Sequence, residues 1–225
     1  MHKYIINLKR RKDRLKKFKK TSPFKFEEIQ VFKGFDGLHP NNNEYGLDEY
    51  KIISEHSQMK EGEKGCFISH LNIWRDMVKN DIEYALIMED DPIFCKDFMN
   101  KFNKVLENAP EKYDILYIGG RFWPDYYMKN CIKINDVIVK HLYPPWIPID
   151  HDRGGFSYII SKKLASLLIE YFENPQLWNK NIPAVDHFIP SILIRHKFNI
   201  YNSYPLLTHA VRNSPDSDIQ FTERL

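Results

Sequence analysis

Short apolar runs typical of buried strands alternate along the chain with longer segments whose apolar residues recur at helical spacing, and this alternation restricts the possible folds most. Within residues 65–79, Phe67, Leu71 and Trp74 follow one another at intervals of four and three residues, as on one face of a helix. Such alternation predicts an α/β fold with a largely parallel sheet and helices on its faces. The predicted strands are residues 4–8, 26–32, 84–88, 114–118 and 156–160. The predicted helices are residues 9–20, 65–79, 97–108, a helix capped by Ser161 that ends at Phe172, and 185–196, whereas residues 39–63 and 121–153 are predicted to be loops.

The length of the chain indicates how many domains it forms, and the distribution of its charge indicates possible partners. With 225 residues, 43% of them hydrophobic, the chain can build one domain with a substantial core, so we expect a single domain over residues 1–225. The net charge is only +3, but residues 9–20 hold nine Lys or Arg and one Asp and therefore carry +8. A basic segment of this kind is either a solvated helix face or an arm that contacts nucleic acid or a membrane surface.

Cysteine usage and hydropathy bear on the compartment. The three cysteines, Cys66, Cys95 and Cys131, are an odd number without metal-type spacing, which indicates a reducing compartment. The first residues do not form a signal peptide, and no apolar stretch approaches the roughly 18 residues that span a membrane. We therefore expect a cytoplasmic protein without a transmembrane segment.

One predicted strand, residues 84–88, runs directly into the acidic triplet Glu89-Asp90-Asp91. In open α/β sheets, ligands bind beyond the carboxyl ends of the strands, and adjacent carboxylates repel one another unless a cation joins them. Because alternate residues of an extended chain point the same way, Glu89 and Asp91 can face one site while Asp90 faces another. Such oxygen ligands suit Mn²⁺ or Mg²⁺, which would neutralise a leaving diphosphate. The alternative is an acidic turn whose carboxylates cap the next helix.

Further short motifs occur in a fixed order along nearly the whole chain. They are Ile6-Asn7-Leu8 with Arg11, Asp13 and Arg14; Phe35-Asp36-Gly37; residues 62–66 with Ser69, His70 and Trp74; residues 88–91, 113–117, 158–161 and 185–188; and Pro205 with residues 217–219. In this order they resemble family 25 glycosyltransferases, the group of lipopolysaccharide-type sugar transferases that includes procollagen galactosyltransferases. The resemblance implies a GT-A-type fold, a nucleotide-diphosphate sugar donor and Mn²⁺. We therefore expect a metal-dependent inverting glycosyltransferase that moves a hexose, from UDP-galactose or UDP-glucose, to a hydroxyl acceptor such as hydroxylysine of a collagen-like protein or a lipopolysaccharide sugar.

The resemblance also implies which residues bind the donor. The expected donor-binding residues are Asn7, Arg11, Arg14, Asp36, Gly37, Ser69, His70 and Asp90. Asn7 and Arg14 follow the first strand, where a guanidinium can fork onto phosphate or stack on a base. Asp36 and Gly37 would close the uracil and ribose side, although an Asp-Gly pair is also a common turn. His70 falls at the edge of a helix's buried face, so without the resemblance it would be interpreted as a core histidine.

The remaining expected site residues serve the metal and the acceptor. Glu89 and Asp91, completed by His209 near the C-terminus, are the expected metal ligands. An inverting transferase needs a base for the acceptor hydroxyl, and the candidates are Asp186 and Asp152, with Asp150 as a further possibility. The aromatic residues Trp123, Tyr126, Tyr127 and Trp146 would stack on an acceptor, or else pack beneath a long loop.

Two other functions are consistent with parts of the sequence. A nucleic-acid-binding module would use the basic helix 9–20, but it leaves the acidic triplet unexplained because unpaired carboxylates repel phosphate. A metal-dependent nucleotidyltransferase would share the acidic triplet, but it usually requires a glycine-rich phosphate loop that this sequence lacks. We therefore expect a sugar nucleotide rather than a nucleic acid as the partner.

Overall fold

The structure is a computed structural model, and it describes residues 1–120, 131–141, 157–178 and 181–209. Within these ranges the strands are β1 (His2–Leu8), β2 (Gln30–Gly34), β3 (Tyr84–Met88), β4 (Ile93–Phe94), β5 (Ile115–Tyr117), β6 (Cys131–Lys133), β7 (Ile138–His141), β8 (Ser157–Ser161), β9 (Ile200–Ser203) and β10 (Thr208–His209). The helices in the same ranges are α1 (Lys12–Thr21), α2 (Leu47–His56), α3 (Glu61–Lys79), α4 (Phe98–Asn108), α5 (Lys162–Glu173) and α6 (Val185–His196). None of these helices combines the length and the apolar character that crossing a membrane requires.

Eight of the strands form one mixed sheet in the order β2-β1-β3-β8-β5-β9-β7-β6. The neighbours β2, β1 and β3 are parallel, as are β5 and β9, whereas β8 and β7 run against the strands beside them. Strands β10 and β4 form a separate antiparallel pair. The predicted α/β fold with a largely parallel sheet is therefore confirmed, with two strands inserted in the opposite direction.

The sheet separates two apolar layers because alternate strand residues point to opposite faces. On β1, Tyr4 and Ile6 belong to the cluster that packs against α3, α5 and α6. Ile5, between them, belongs to the cluster that packs against α1 and α4. Trp74 of α3 is fully buried in the first cluster. Burial of one such side chain contributes about 2–3 kcal/mol.

Several segments differ from the sequence prediction, which also lacks the inner strand β9 and begins α3 at residue 65 instead of Glu61. The strand predicted over residues 26–32 begins later, because Phe26–Glu28 forms a 3-10 turn before β2. The predicted loop 39–63 contains α2, a polar helix that is held in place because Ile53 inserts into the core. The predicted loop 121–153 contains β6 and β7, which extend the far edge of the sheet because β7 pairs with β9 and β6 pairs with β7. For α2 and for β7, a contact with a distant segment decides the local structure.

Candidate functional site

A cleft with an open volume of about 610 Å³ lies at the carboxyl ends of β1, β2 and β3. The strand ends converge there because the parallel pairing places Leu8 beside Gly34 and Ile5 beside Met88. The residues that line the cleft are Ile6, Leu8, Arg10, Arg14, Phe35, Asp36, Gly37, Leu38, Gly62, Cys66, Ser69, Glu89, Asp90 and Asp91. Most of the predicted donor residues therefore meet at one place.

Asp90, the middle acid of the triplet, is held by protein groups. It is only 7% exposed, its Oδ2 accepts a hydrogen bond from Asn7 Nδ2 at 2.6 Å, and its Oδ1 lies 3.0 Å from Arg14 Nη1. Asn7 Nδ2 also donates to the backbone oxygen of Arg11 at 3.0 Å. Because both oxygens of Asp90 have protein partners, Asp90 joins β1 and α1 to the end of β3. Breaking one side of a buried pair of this kind costs about 3–5 kcal/mol.

Glu89 and Asp91 are the carboxylates that remain for a cation. Burial, then the charges of Asp91 and Asp90, raises the pKa of Glu89 to about 8, against a smaller opposing effect of Arg14. Asp91 is 34% exposed at its side chain, and its Oδ2 lies 3.4 Å from Arg14 Nη1. A divalent cation between these groups would relieve the repulsion that raises the pKa of Glu89. The hard oxygen donors and this crowding both fit Mn²⁺ or Mg²⁺.

The opposite wall of the cleft is built from Asp36 and Arg10. Arg10 Nε donates to Asp36 Oδ2 at 2.7 Å, and His39 Nδ1 lies 3.3 Å from the same oxygen. Although burial acts to raise it, the pKa of Asp36 is held below its ordinary value by Arg10 and then by His39. Arg11, which the resemblance assigns to the donor, instead pairs with Asp13 at 2.8 Å and does not line the cleft.

Arg10 therefore takes the place in the cleft that was expected of Arg11. The sequence indicates a basic segment after β1, but it does not indicate which arginine points into the site. The direction follows from the backbone of this turn, where the N–H of Arg11 donates to the Leu8 carbonyl before α1 begins.

Gly37 and Ser69 hold this wall against α3. An added Cβ on Gly37 would lie 1.8 Å from the Glu61 carbonyl oxygen, and one on Gly65 would lie 2.6 Å from the Phe35 carbonyl oxygen. Ser69 Oγ accepts from the Phe35 N–H at 2.9 Å and donates to the Gly65 carbonyl at 2.7 Å, and Ser69 is 1% exposed. Gly37, Gly65 and Ser69 therefore allow the backbone after β2 to pack closely against α3. This packing lies next to the space where the donor is expected.

His70 lies behind the cleft rather than at its surface. It is 0% exposed, its Nδ1 is 2.7 Å from Tyr158 Oη, and Trp74 Nε1 donates to the same hydroxyl at 3.2 Å. Burial lowers the pKa of His70 to about 3, so the ring is neutral at physiological pH. His70 therefore lies on the inner face of α3 instead of at its edge, and it is not among the residues that line the cleft.

The next residues are Asp186, the expected base, and His209, the expected third metal ligand. Asp186 lies in the first turn of α6, whose N-cap is Ala184, and its charge is the last of the contributions that raise the pKa of Glu89 after burial, Asp91 and Asp90. His209 pairs with Ile93, two residues beyond Asp91, through β10 and β4. Asp150, Asp152 and the aromatic residues Trp123, Tyr126, Tyr127 and Trp146 lie outside the described residues.

The chain is similar to known proteins over most of its length. The model of a family described as "Glycosyltransferase family 25 (LPS biosynthesis protein)" matches residues 1–189. Procollagen galactosyltransferase 2 of Homo sapiens is 27% identical over 210 residues, which are 89% of this chain and 32% of that protein. A glycosyltransferase 25 family member of Drosophila melanogaster is 31% identical over 205 residues, which are 86% of this chain and 31% of that protein. The chain therefore spans about a third of the length of these relatives.

Among solved structures, the mannose-1-phosphate geranyltransferase from Thermus thermophilus aligns with 90% of this chain and 74% of its own, with a TM-score of 0.42 and 10% identity. That similarity is too weak to support an argument.

Proposed function

Because the chain belongs to glycosyltransferase family 25, we propose that it transfers a hexose, galactose or glucose, from a UDP-sugar to a hydroxyl acceptor. The proposed cofactor is Mn²⁺ or Mg²⁺, and the proposed fold subtype is GT-A. A hydroxyl on a collagen-like protein, such as hydroxylysine, or on a lipopolysaccharide sugar is the proposed acceptor. The names of the human relative, a procollagen galactosyltransferase, and of the family, an LPS biosynthesis protein family, support these two acceptors.

The pair Glu89 and Asp91 carries this proposal. The two carboxylates stand at the carboxyl end of β3 and line the cleft, and the pKa of Glu89 is raised first by burial and then by the charges of Asp91 and Asp90. A metal ion held there would supply positive charge to the diphosphate of the donor as it leaves. His209 is the proposed third ligand, and the β10–β4 pairing sets it opposite Ile93, two residues beyond Asp91 in the chain.

The other residues of the site orient the substrates. The guanidinium of Arg14 lines the cleft beside Asp90 and Asp91, which supports the proposal that it contacts a donor phosphate. Asp36, kept ionised by Arg10, is the proposed acceptor of hydrogen bonds from uracil or ribose.

Asp186 is the proposed general base. It would accept the proton of the acceptor hydroxyl while that oxygen attacks the anomeric carbon of the sugar from the face opposite to UDP, which inverts the configuration. Its place in the first turn of α6, within electrostatic reach of Glu89, supports this role.

The direct test is hydrolysis and transfer of a panel of UDP-sugars with Mn²⁺, with Mg²⁺ and with EDTA. We expect turnover of UDP-galactose or UDP-glucose that EDTA abolishes and Mn²⁺ restores. Asp91→Asn should lose this turnover, whereas Asp48→Asn, a matched change at an exposed position on α2, should keep it. Turnover that is unaffected by EDTA, or equal in the two variants, would contradict the metal role.

A second candidate, nucleic-acid binding, is favoured by one feature. A basic groove of about 1,380 Å³ adjoins the cleft through Arg10 and Asp36, and it is also lined by Lys9, Lys12 and Lys33. Phosphate backbones bind such grooves with a strong dependence on salt. The acidic triplet beside the groove opposes this function, and RNA binding measured as a function of salt distinguishes the two candidates.

A further inference from the structure

Behind the cleft lies an imidazole nitrogen that has no protein partner among the described residues. His70 is 0% exposed, and its Nδ1 is engaged with the Tyr158 hydroxyl. Its Nε2 is buried and makes no hydrogen bond within the part of the chain that the structure describes. A buried polar atom left without a partner costs about 1–3 kcal/mol, which indicates that a ligand belongs there.

Two further donor groups lie beside this histidine. One potential ligand atom from each of Cys66, His70 and Glu89 lies within 4.8 Å of the other two. We propose that these three residues form a second metal site that takes a zinc-type divalent cation. Nothing in the resemblance to glycosyltransferases assigns such a site, and none of the expected Mn²⁺ ligands except Glu89 takes part in it.

The secondary structure holds the three donors in place. Cys66 and His70 are four residues apart on α3, so their side chains lie one above the other on the same face of the helix. Glu89 follows directly after β3, which packs beneath that helix. The Tyr158 hydroxyl fixes the orientation of the imidazole through Nδ1, as outer partners of metal-binding histidines commonly do.

The chemistry of the donors selects the class of cation. A thiolate, an imidazole and one carboxylate suit Zn²⁺ or Co²⁺, whereas Mn²⁺ and Mg²⁺ prefer sites made of oxygen alone. When the ion binds, the Cys66 S–H proton passes to the buffer and a sulfur–metal bond forms. The thiolate and the carboxylate then balance the divalent charge, and the imidazole is neutral, so the buried group has no net charge. Cys66 and Glu89 both line the cleft, which leaves the fourth coordination position open to solvent or substrate.

The site can be tested without any assay of sugar transfer. The metal-free protein is titrated with Co²⁺, and the thiolate-to-cobalt charge-transfer absorption is recorded. We expect the band to saturate at one equivalent and to disappear when Zn²⁺ is added. Cys66→Ser should abolish the band, whereas Cys95→Ser and Cys131→Ser, at cysteines of comparable partial exposure, should retain it.

A second measurement covers the case in which a variant folds poorly. In the wild-type protein, the alkylation rate of each cysteine is followed by peptide mass spectrometry in the presence of Zn²⁺, of Mn²⁺ and of EDTA. We expect Zn²⁺ to slow alkylation of Cys66 by at least about tenfold while Cys95 and Cys131 are unaffected. A cobalt band that survives Cys66→Ser, the absence of any band in the wild type, or equal protection of all three cysteines would overturn the proposal. These outcomes are independent of whether the protein transfers sugar.

Discussion

Replacing Glu89 with Gln is expected to stabilise the metal-free protein near and above neutral pH, although the change removes a residue of the candidate site. Burial, followed by the charges of Asp91 and Asp90, raises the pKa of Glu89 from 4.5 to about 8. In the unfolded chain the carboxyl titrates near its ordinary value, so the native protein binds this proton more tightly. The energetic penalty is therefore absent below about pH 4, grows as the pH rises, and is complete above about pH 8.

The size of the effect follows from the two pKa values. Their difference corresponds to at most about 5 kcal/mol, because each pKa unit is worth about 1.4 kcal/mol. Because the site relaxes and water reaches the ionised carboxylate, the measurable gain in the free energy of unfolding is smaller. We expect about 2–4 kcal/mol for Glu89→Gln at pH 8.5 and almost none at pH 4.5.

Urea unfolding followed by tryptophan fluorescence from pH 4.5 to 8.5 in EDTA measures this difference, since Trp74 is buried in the core. Glu107→Gln, at an exposed position on α4, is the matched control and should be neutral. When Mn²⁺ is added at about 100 times its Kd, the wild type should gain about 2.7 kcal/mol and the Glu89 variant much less. If Glu89→Gln is no more stable than the wild type at pH 8.5 in EDTA, the assigned crowding of the carboxylates is wrong.

Three further outcomes are expected. Asp186→Asn should keep UDP-sugar affinity within about twofold but lower the transfer rate by at least about 100-fold, measured as kcat, and near-normal transfer would place the base elsewhere. Gly37→Ala should lower the free energy of unfolding by more than about 3 kcal/mol, because its Cβ would lie 1.8 Å from a backbone oxygen. Gly34→Ala, whose Cβ would first meet side-chain carbons at 3.2 Å, is the control and should cost much less. Similar urea midpoints for the two variants would contradict this reasoning. The third outcome concerns Lys9, Lys12 and Lys33, which line the basic groove. If the groove binds RNA tightly, changing these lysines to Gln should reduce the slope of log affinity against log salt by about 0.9 for each phosphate no longer neutralised. The transferase proposal expects no tight RNA binding by the wild type.

Local patterns determined the elements whose apolar residues repeat regularly. Strand β3 and helix α6 begin and end where the sequence predicts, because an apolar run and a 3.6-residue period define the buried side of each element by themselves. The predicted cap is also observed, since Ser161 Oγ accepts from the Leu164 N–H at 3.2 Å. The position of the acidic triplet at a strand end was likewise available from the sequence, because it depends only on neighbouring residues.

Tertiary structure decided which polar groups meet. Asn7 and Asp90 are 83 residues apart in sequence, and their hydrogen bond exists only because β1 and β3 are neighbours in the sheet. The same holds for His70: helical spacing placed it at the edge of a face, but its contact with Tyr158, 88 residues away, places it in the core. A sequence defines which face of an element is apolar, whereas strand order and helix docking define what each polar side chain contacts. For that reason only the folded chain shows that Arg10, rather than Arg11, lines the cleft. It alone also shows that Cys66 lies beside His70 and Glu89.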